Sequence, residues 1–156
     1  MEAPVRRIPA VAGAGVLMCA AVLGGCAGAG QAETPALAGS SWELVSIESM
    51  DDTQGVTEIP DPAKFTVAFG ADGRAAFRLD CNQGGGSWEA DPAEGESGAL
   101  TFGPIASTLM ACPPPSLDGR VSTELSNVTG YLFADDQLHL STKYDGSILH
   151  WRAAPA

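Results

Sequence analysis

Residues 65–81 read FTVAFGADGRAAFRLDC, and their apolar side chains recur at every second position. Phe65, Val67 and Phe69 alternate with Thr66 and Ala68; Ala75, Phe77, Leu79 and Cys81 form the next apolar set. A period of two is that of a strand with one face buried. Between the two runs, Ala71-Asp72-Gly73 supplies a turn, with Gly73 able to take the positive φ that a tight turn demands. The stretch is therefore an antiparallel hairpin, and it sets the expectation of a mainly β fold.

Similar short segments lie on either side. Upstream, Trp42 and Leu44 alternate with Glu43. Downstream, Gly84-Gly85-Gly86 precedes Ser87-Trp88-Glu89, and residues 99–102 make another short strand. Three more segments, 131–133, 138–142 and 148–152, are linked by Asp135-Asp136 and Asp145-Gly146 and can form a meander. One segment has a different period. Leu117, Val121, Leu125 and Val128 are spaced by four, four and three, the stripe of an amphipathic helix. Pro113-Pro114-Pro115 stands before it, Ser116 or Asp118 can cap its start, and Gly130 lies where a helix-terminating glycine belongs, so a helix is expected over 117–129. Its apolar stripe is expected to pack on the sheet.

The N-terminus carries a different message. Arg6 and Arg7 precede an apolar run that ends in Leu23-Gly24-Gly25-Cys26. The run falls short of the ~20 apolar residues needed to span a bilayer, so a cleaved signal is expected over residues 1–25. The four closing residues have the form of a bacterial lipobox. Small glycines admit a peptidase, and the Cys26 thiol offers the nucleophile for a thioether-linked diacylglyceryl group, with fatty acyl chains such as palmitate. Two or more acyl chains give the stable attachment that one does not. Residues 27–36, AGAGQAETPA, contain nothing to bury and read as a tether that holds the domain roughly 18 Å from the anchor. The expected organisation is a signal over 1–25, a lipidated tether over 26–36, and one domain over 37–153. The expected location is the outer side of a cell membrane.

Charge narrows the partners. The chain has 8 Lys and Arg against 19 Asp and Glu, and removal of residues 1–25 leaves 6 against 18. Such a surface repels phosphate backbones and anionic headgroups, so nucleic acid is excluded as a partner and the membrane is reached through the lipid alone. No cofactor is called for, a monomer is expected, and any protein partner in the envelope is left unnamed. With Cys19 in the signal and Cys26 committed to lipid, Cys81 and Cys112 remain. Two thiols in an exported domain are expected to bond to each other; the alternative is a free, buried pair packed as small apolar groups. A bond would close a 31-residue loop, about 3.5 kcal/mol by chain entropy.

Asp80-Cys81-Asn82, followed by Gly86-Ser87-Trp88, then Ser107-Thr108-Leu109-Met110-Ala111-Cys112 and the helix, resembles the META domain family (HslJ-like). The opening Leu37, Gly39 and Trp42 fit the same pattern. The resemblance runs from about Leu37 to Trp151, with Thr-x-Met-Ala-Cys at 108–112 its most specific element and Asp80 standing where the family usually has glycine. It implies an antiparallel curved sheet closing toward a small barrel, one helix packed on it, and Trp42, Asn82, Gly86, Trp88, Thr108 and Met110 in structural roles. Members are frequently envelope lipoproteins, some linked to heat-shock expression, antibiotic tolerance or motility, and no general enzymatic activity is established for them.

Read singly, Asn82 suits a turn after Cys81, since asparagine tolerates left-handed backbone and bonds nearby peptide groups. One of Thr108 and Met110 is expected to enter the core, with Met110 packing beside Cys112. Catalytic readings find little support. A thiolate at Cys81 or Cys112 needs cations that this acidic chain lacks. His139 and His150 alternate with apolar neighbours and are expected on the solvent side of their strands, without the short spacing of a zinc pair. Asp91, Glu94 and Glu96 lack the ordered repeat of a calcium loop, and the pairs Asp51-Asp52 and Asp135-Asp136 read as loop tips. The expectation is a non-catalytic envelope module, with envelope stress as one setting. The alternative is a small-ligand carrier with a cavity inside the β structure. Phe65, Phe69, Phe77, Leu79, Phe102 and Leu140 weigh against that cavity by filling the interior.

Overall fold

The computed structural model describes residues 36–155. The expected signal, Cys26 and the tether up to residue 35 lie outside the described residues. The hairpin at the centre of the sequence forms as read: β3 (Phe65–Phe69) and β4 (Arg74–Leu79) pair from Phe65 opposite Leu79 to Phe69 opposite Ala75, and Gly73 has φ +77°. Inward and outward side chains alternate strictly in β4, with Ala75, Phe77 and Leu79 buried and Arg74, Ala76 and Arg78 exposed.

Around this hairpin the chain winds as a meander. Its other strands are β1 (Ser41–Ser49), β2 (Val56–Glu58), β5 (Asn82–Asp91), β6 (Ser97–Phe102), β7 (Ala106–Ser107), β8 (Val128–Ala134), β9 (Gln137–Thr142) and β10 (Ser147–Ala153). The order β10-β9-β8-β6-β5-β4-β3-β1 is closed by antiparallel pairing of β1 with β10, from Trp42 opposite Ala153 to Ser49 opposite Ser147. The result is an eight-stranded antiparallel barrel, with β2 and β7 as short side branches on β1 and β5. Closure removes the free edges that an open sheet of this size would present.

The interior is filled. Trp151, Phe69, Leu44, Leu100, Leu138, Leu140 and Leu149 are almost wholly buried, and Phe69 stacks on Phe102 and meets Trp88 edge to face at 5.3 Å. Side chains of this size occupy the axis of a barrel of this strand number. Trp151 Nε1 is the one buried side-chain nitrogen or oxygen among the described residues with no hydrogen-bond partner.

Register divides the barrel into two rims. Ser41, the 70–73 turn, the 92–96 turn and the Asp135-Asp136 turn lie at one; the 51–54 turn, Asp80-Cys81, the start of α1 (Asp118–Leu125) and residues 143–146 lie at the other. Both ends of the described chain reach the first rim, where Ala36 bridges Glu94 and the Ala154 amide donates to Ser41 O. At the second rim, α1 turns Val121 and Leu125 into the core, and side-chain bonds from Asp118, Arg120 and Glu124 tie it to β5, β2 and β10.

Three sequence expectations are corrected here. The helix ends at Leu125, not residue 129, because Val128 is already the buried first residue of β8. Gly130 is a strand residue opposite Ser141, so it does not terminate the helix; a Cβ there would lie 2.8 Å from Ser141 Oγ. The glycine run at 84–86 does not stand before the strand that holds Ser87-Trp88-Glu89 but lies within it, in β5. Its bare backbone admits the crossing segment: a Cβ on Gly86 would sit 3.1 Å from Pro104 O, and one on Gly84 3.2 Å from Ala106 O. Here the glycines serve close approach of a second backbone.

Candidate functional site

Two parts of the sequence motif, Asp80-Cys81-Asn82 and the segment from Thr108 to Cys112, converge at the second rim, around the side chain of Asn82. Position 82 is the first residue of β5 and 4% exposed, so its amide must find partners inside the protein. It does so through the 107–112 segment. Asn82 Oδ1 accepts from the Thr108 hydroxyl and from the Met110 amide, both at 2.8 Å. Nδ2 donates to Met110 O at 3.0 Å and to Asp118 Oδ2 at 3.2 Å, with Cys112 Sγ a weaker third neighbour at 3.4 Å. One amide thus holds both backbone groups of Met110 and the first residue of α1.

Thr108 extends the bracing. Its hydroxyl donates to Asn82 and accepts from the Gln83 amide at 3.1 Å, while its own amide donates to Gln83 O at 2.9 Å. The segment is therefore laced to β5 residue by residue, and a covalent bond closes it. Cys81 and Cys112 form a disulfide with Cα atoms 5.6 Å apart, so the free-pair alternative is set aside.

Asp80 completes the rim. It takes φ +58° in the two-residue turn between β4 and β5, a left-handed conformation that favours glycine. Here an aspartate tolerates it and gains contacts glycine could not make. Its Oδ2 accepts from Ser116 Oγ at 2.7 Å, and its Oδ1 lies 3.4 Å from Lys64 Nζ. The Ser116 hydroxyl has one proton, and it goes to this shorter contact; Asp118 Oδ1, at 3.0 Å, receives none. Donation from Ser116 is the main reason the Asp80 carboxyl is held below its ordinary value; burial opposes it, and Lys64 adds to it.

This bracing projects two apolar side chains outward. Leu109 is 94% exposed and Met110 58%, so neither Thr108 nor Met110 enters the core as expected. What the motif uses of Met110 is its peptide groups. Leu109 and Met110 flank an open cleft of about 300 Å³ floored by Leu79 and Asn82 and walled by Asp118 and Ser122 of α1. Asn82 is likewise not a local turn former: its partners lie 26 to 36 residues away.

The remaining candidates are dispersed. Trp88 is buried with its indole N–H on Gly70 O, and Trp42, half-buried, donates to Ser40 Oγ and packs on Phe133. Trp42 and Phe133 line a second open cleft, of about 620 Å³, at the first rim. Asp91, Glu94 and Glu96 are exposed around the 92–96 turn. Among the described residues no three His, Cys, Asp or Glu are grouped to hold a metal ion. His139 and His150 do face away from the core, but sequence reading missed that they are register partners on β9 and β10, in contact with each other.

The sequence matches the META domain family over residues 35–155, which takes in every described residue. The chain belongs to the META domain family. Two solved structures share the fold of this META domain. A solution structure of a protein from Burkholderia xenovorans is 21% identical with a TM-score of 0.60, covering 77% of this chain and 85% of its own. The crystal structure of a DUF4847 family protein from Bacteroides vulgatus is 16% identical with a TM-score of 0.51, covering 74% and 93%. No curated protein matches the chain. In this META domain the Thr-x-Met-Ala-Cys segment is accounted for as a brace, with Thr108, the Met110 backbone and Cys112 each fastened to β4–β5 and its turn.

Proposed function

We propose that this chain is a lipid-anchored, extracytoplasmic META domain that acts as a non-catalytic binding module through its 107–112 loop. The observation that carries this reading is the loop itself. A buried asparagine, a threonine and a disulfide hold it, and two apolar side chains stand out in solvent at its tip. A rigid apolar tip suits contact, since ordering costs are met in advance. Chemistry is poorly served: the cysteines are bonded, and the amide, hydroxyls and carboxylates at the rim are engaged with one another. Anchoring at Cys26 rests on the Leu23-Gly24-Gly25-Cys26 stretch, and a disulfide fits an oxidising compartment. The loop lies at the rim opposite Ala36, where the described chain begins.

Two experiments test this. Fatty-acid labelling is expected in the wild type and lost in Cys26→Ser; equal labelling of both overturns the anchor. A photocrosslinker at position 109, in cells, is expected to give a discrete adduct that one at Thr101, an exposed strand residue, does not. Identical adduct patterns at both positions overturn the loop as the contact.

A further inference from the structure

A line of hydrogen bonds crosses the outer wall of the barrel where it closes. Glu48 on β1 places Oε2 3.1 Å from His150 Nε2; His150 on β10 places Nδ1 2.8 Å from His139 Nδ1; His139 on β9 places Nε2 3.3 Å from the carbonyl oxygen of Ala134 at the end of β8. The imidazoles meet edge to face with centroids 4.9 Å apart. Both are half-buried, and their strand neighbours Leu138, Leu140, Leu149 and Trp151 point into the core.

The protons can be counted from the partners. A carbonyl oxygen only accepts, so His139 Nε2 carries hydrogen. The contact between the two Nδ1 atoms holds one proton, and because the Glu48 carboxylate lies against His150 the charged ring is His150, so His150 Nδ1 donates and His139 Nδ1 is the bare lone pair. The remaining contact, between His150 Nε2 and Glu48, needs a proton of its own, carried on His150 Nε2 and donated to the carboxylate. These three bonds hold three protons, whereas two neutral imidazoles and a carboxylate bring two.

We propose that Glu48, His150 and His139 form a one-proton latch across the β1–β10 seam, closed only while the line holds one proton more than its neutral rings and carboxylate supply. Withdraw that proton and two lone pairs face each other at one of the contacts. Add another and two N–H groups oppose at 2.8 Å between two positive rings. The latch opens in both directions. Other charges around it leave the count unchanged. Glu43 and Arg152, further along β1 and β10, engage each other at 2.7 Å; Glu58 on β2 sits opposite Ser46; Asp135 and Asp136 follow Ala134 in the turn; β8 and β9 add no charged side chain to this stretch.

Long-range proton–nitrogen NMR of the full-length chain in detergent, labelled at histidine nitrogen and scanned over about pH 5 to 8 where histidine changes charge, tests the count. The expected spectrum has an interval with three protonated imidazole nitrogens and one bare, the bare one being His139 Nδ1. A bare nitrogen shared evenly between the rings throughout the scan, as for independent titration, overturns the latch. The thermal midpoint of the wild type minus that of His139→Leu is expected to peak within the same interval and fall on both sides. A flat or steadily rising difference overturns it as well, and the spectrum of the wild type decides alone if the variant does not fold.

Discussion

Asn82 concentrates more of the rim's hydrogen bonding than any neighbouring side chain. Replacement by alanine strands the Met110 amide and carbonyl, the Thr108 hydroxyl and one Asp118 oxygen at once. A loss of about 2–3 kcal/mol is expected in urea denaturation, with faster hydrogen exchange at the Met110 amide. Asn82→Asp should fare no better, because it turns the donor facing Met110 O into an acceptor. Asp80 offers a test by acidity. Its folded carboxyl lies below the ordinary value of about 3.9, so the ionised form stabilises the fold above that value, and the contribution disappears as pH falls through the folded value. Asp80→Asn retains a residue that tolerates positive φ while removing the charge. It should be about 1 kcal/mol less stable than wild type near neutrality, mostly from Ser116, since Lys64 is half-exposed; the gap should close in strong acid. Equal gaps at both extremes would show that the carboxylate is not its source. At this scale the sequence revealed residue identities but not partners. Asn82 read as a turn former because local rules look two or three residues away, and the histidine pair was invisible because only strand register brings positions 139 and 150 together.

Elements were legible where side chains record a period. The β3–β4 hairpin carries its alternation and its turn glycine in plain view. By contrast, β5 passes through three glycines, which have no side chain to alternate, and β7 is only two residues long. The helix was found but overrun, because Val128 continues the spacing of the buried helical positions while already belonging to β8. The short helix is held by packing: Leu125→Ala is expected to cost 2–5 kcal/mol, whereas the exposed Thr123→Ala stays within about 0.5. Similar losses for both would remove α1 from the core. Removing the disulfide in a Cys81→Ala/Cys112→Ala variant is expected to cost roughly 3.5 kcal/mol. Asn82 and the disulfide fasten one segment to one strand, so their losses should be non-additive by about 0.5 kcal/mol or more in a double-mutant cycle.

For the whole molecule, a closed ring of antiparallel pairs implies that no barrel strand can leave without breaking two interfaces. Native-state hydrogen exchange should therefore show common, slow protection across β3, β4, β9 and β10, with exchange through global unfolding. Faster local opening is expected in β2 and the 51–54 turn, which lie off the ring. If β10 exchanged as fast as β2, the seam would not be a barrel closure. Mainly β character and the filled interior were readable from Phe65, Phe69, Phe77 and Leu140. Closure was implied by the family resemblance, because pairing between the first and last strands leaves no mark in local pattern. The Ala154 amide on Ser41 O has one more use. With head and tail of the barrel side by side, a short peptide splice could join them and new ends could be cut at the 51–54 turn. The circularly permuted protein should keep every strand neighbour, and with it the native fold.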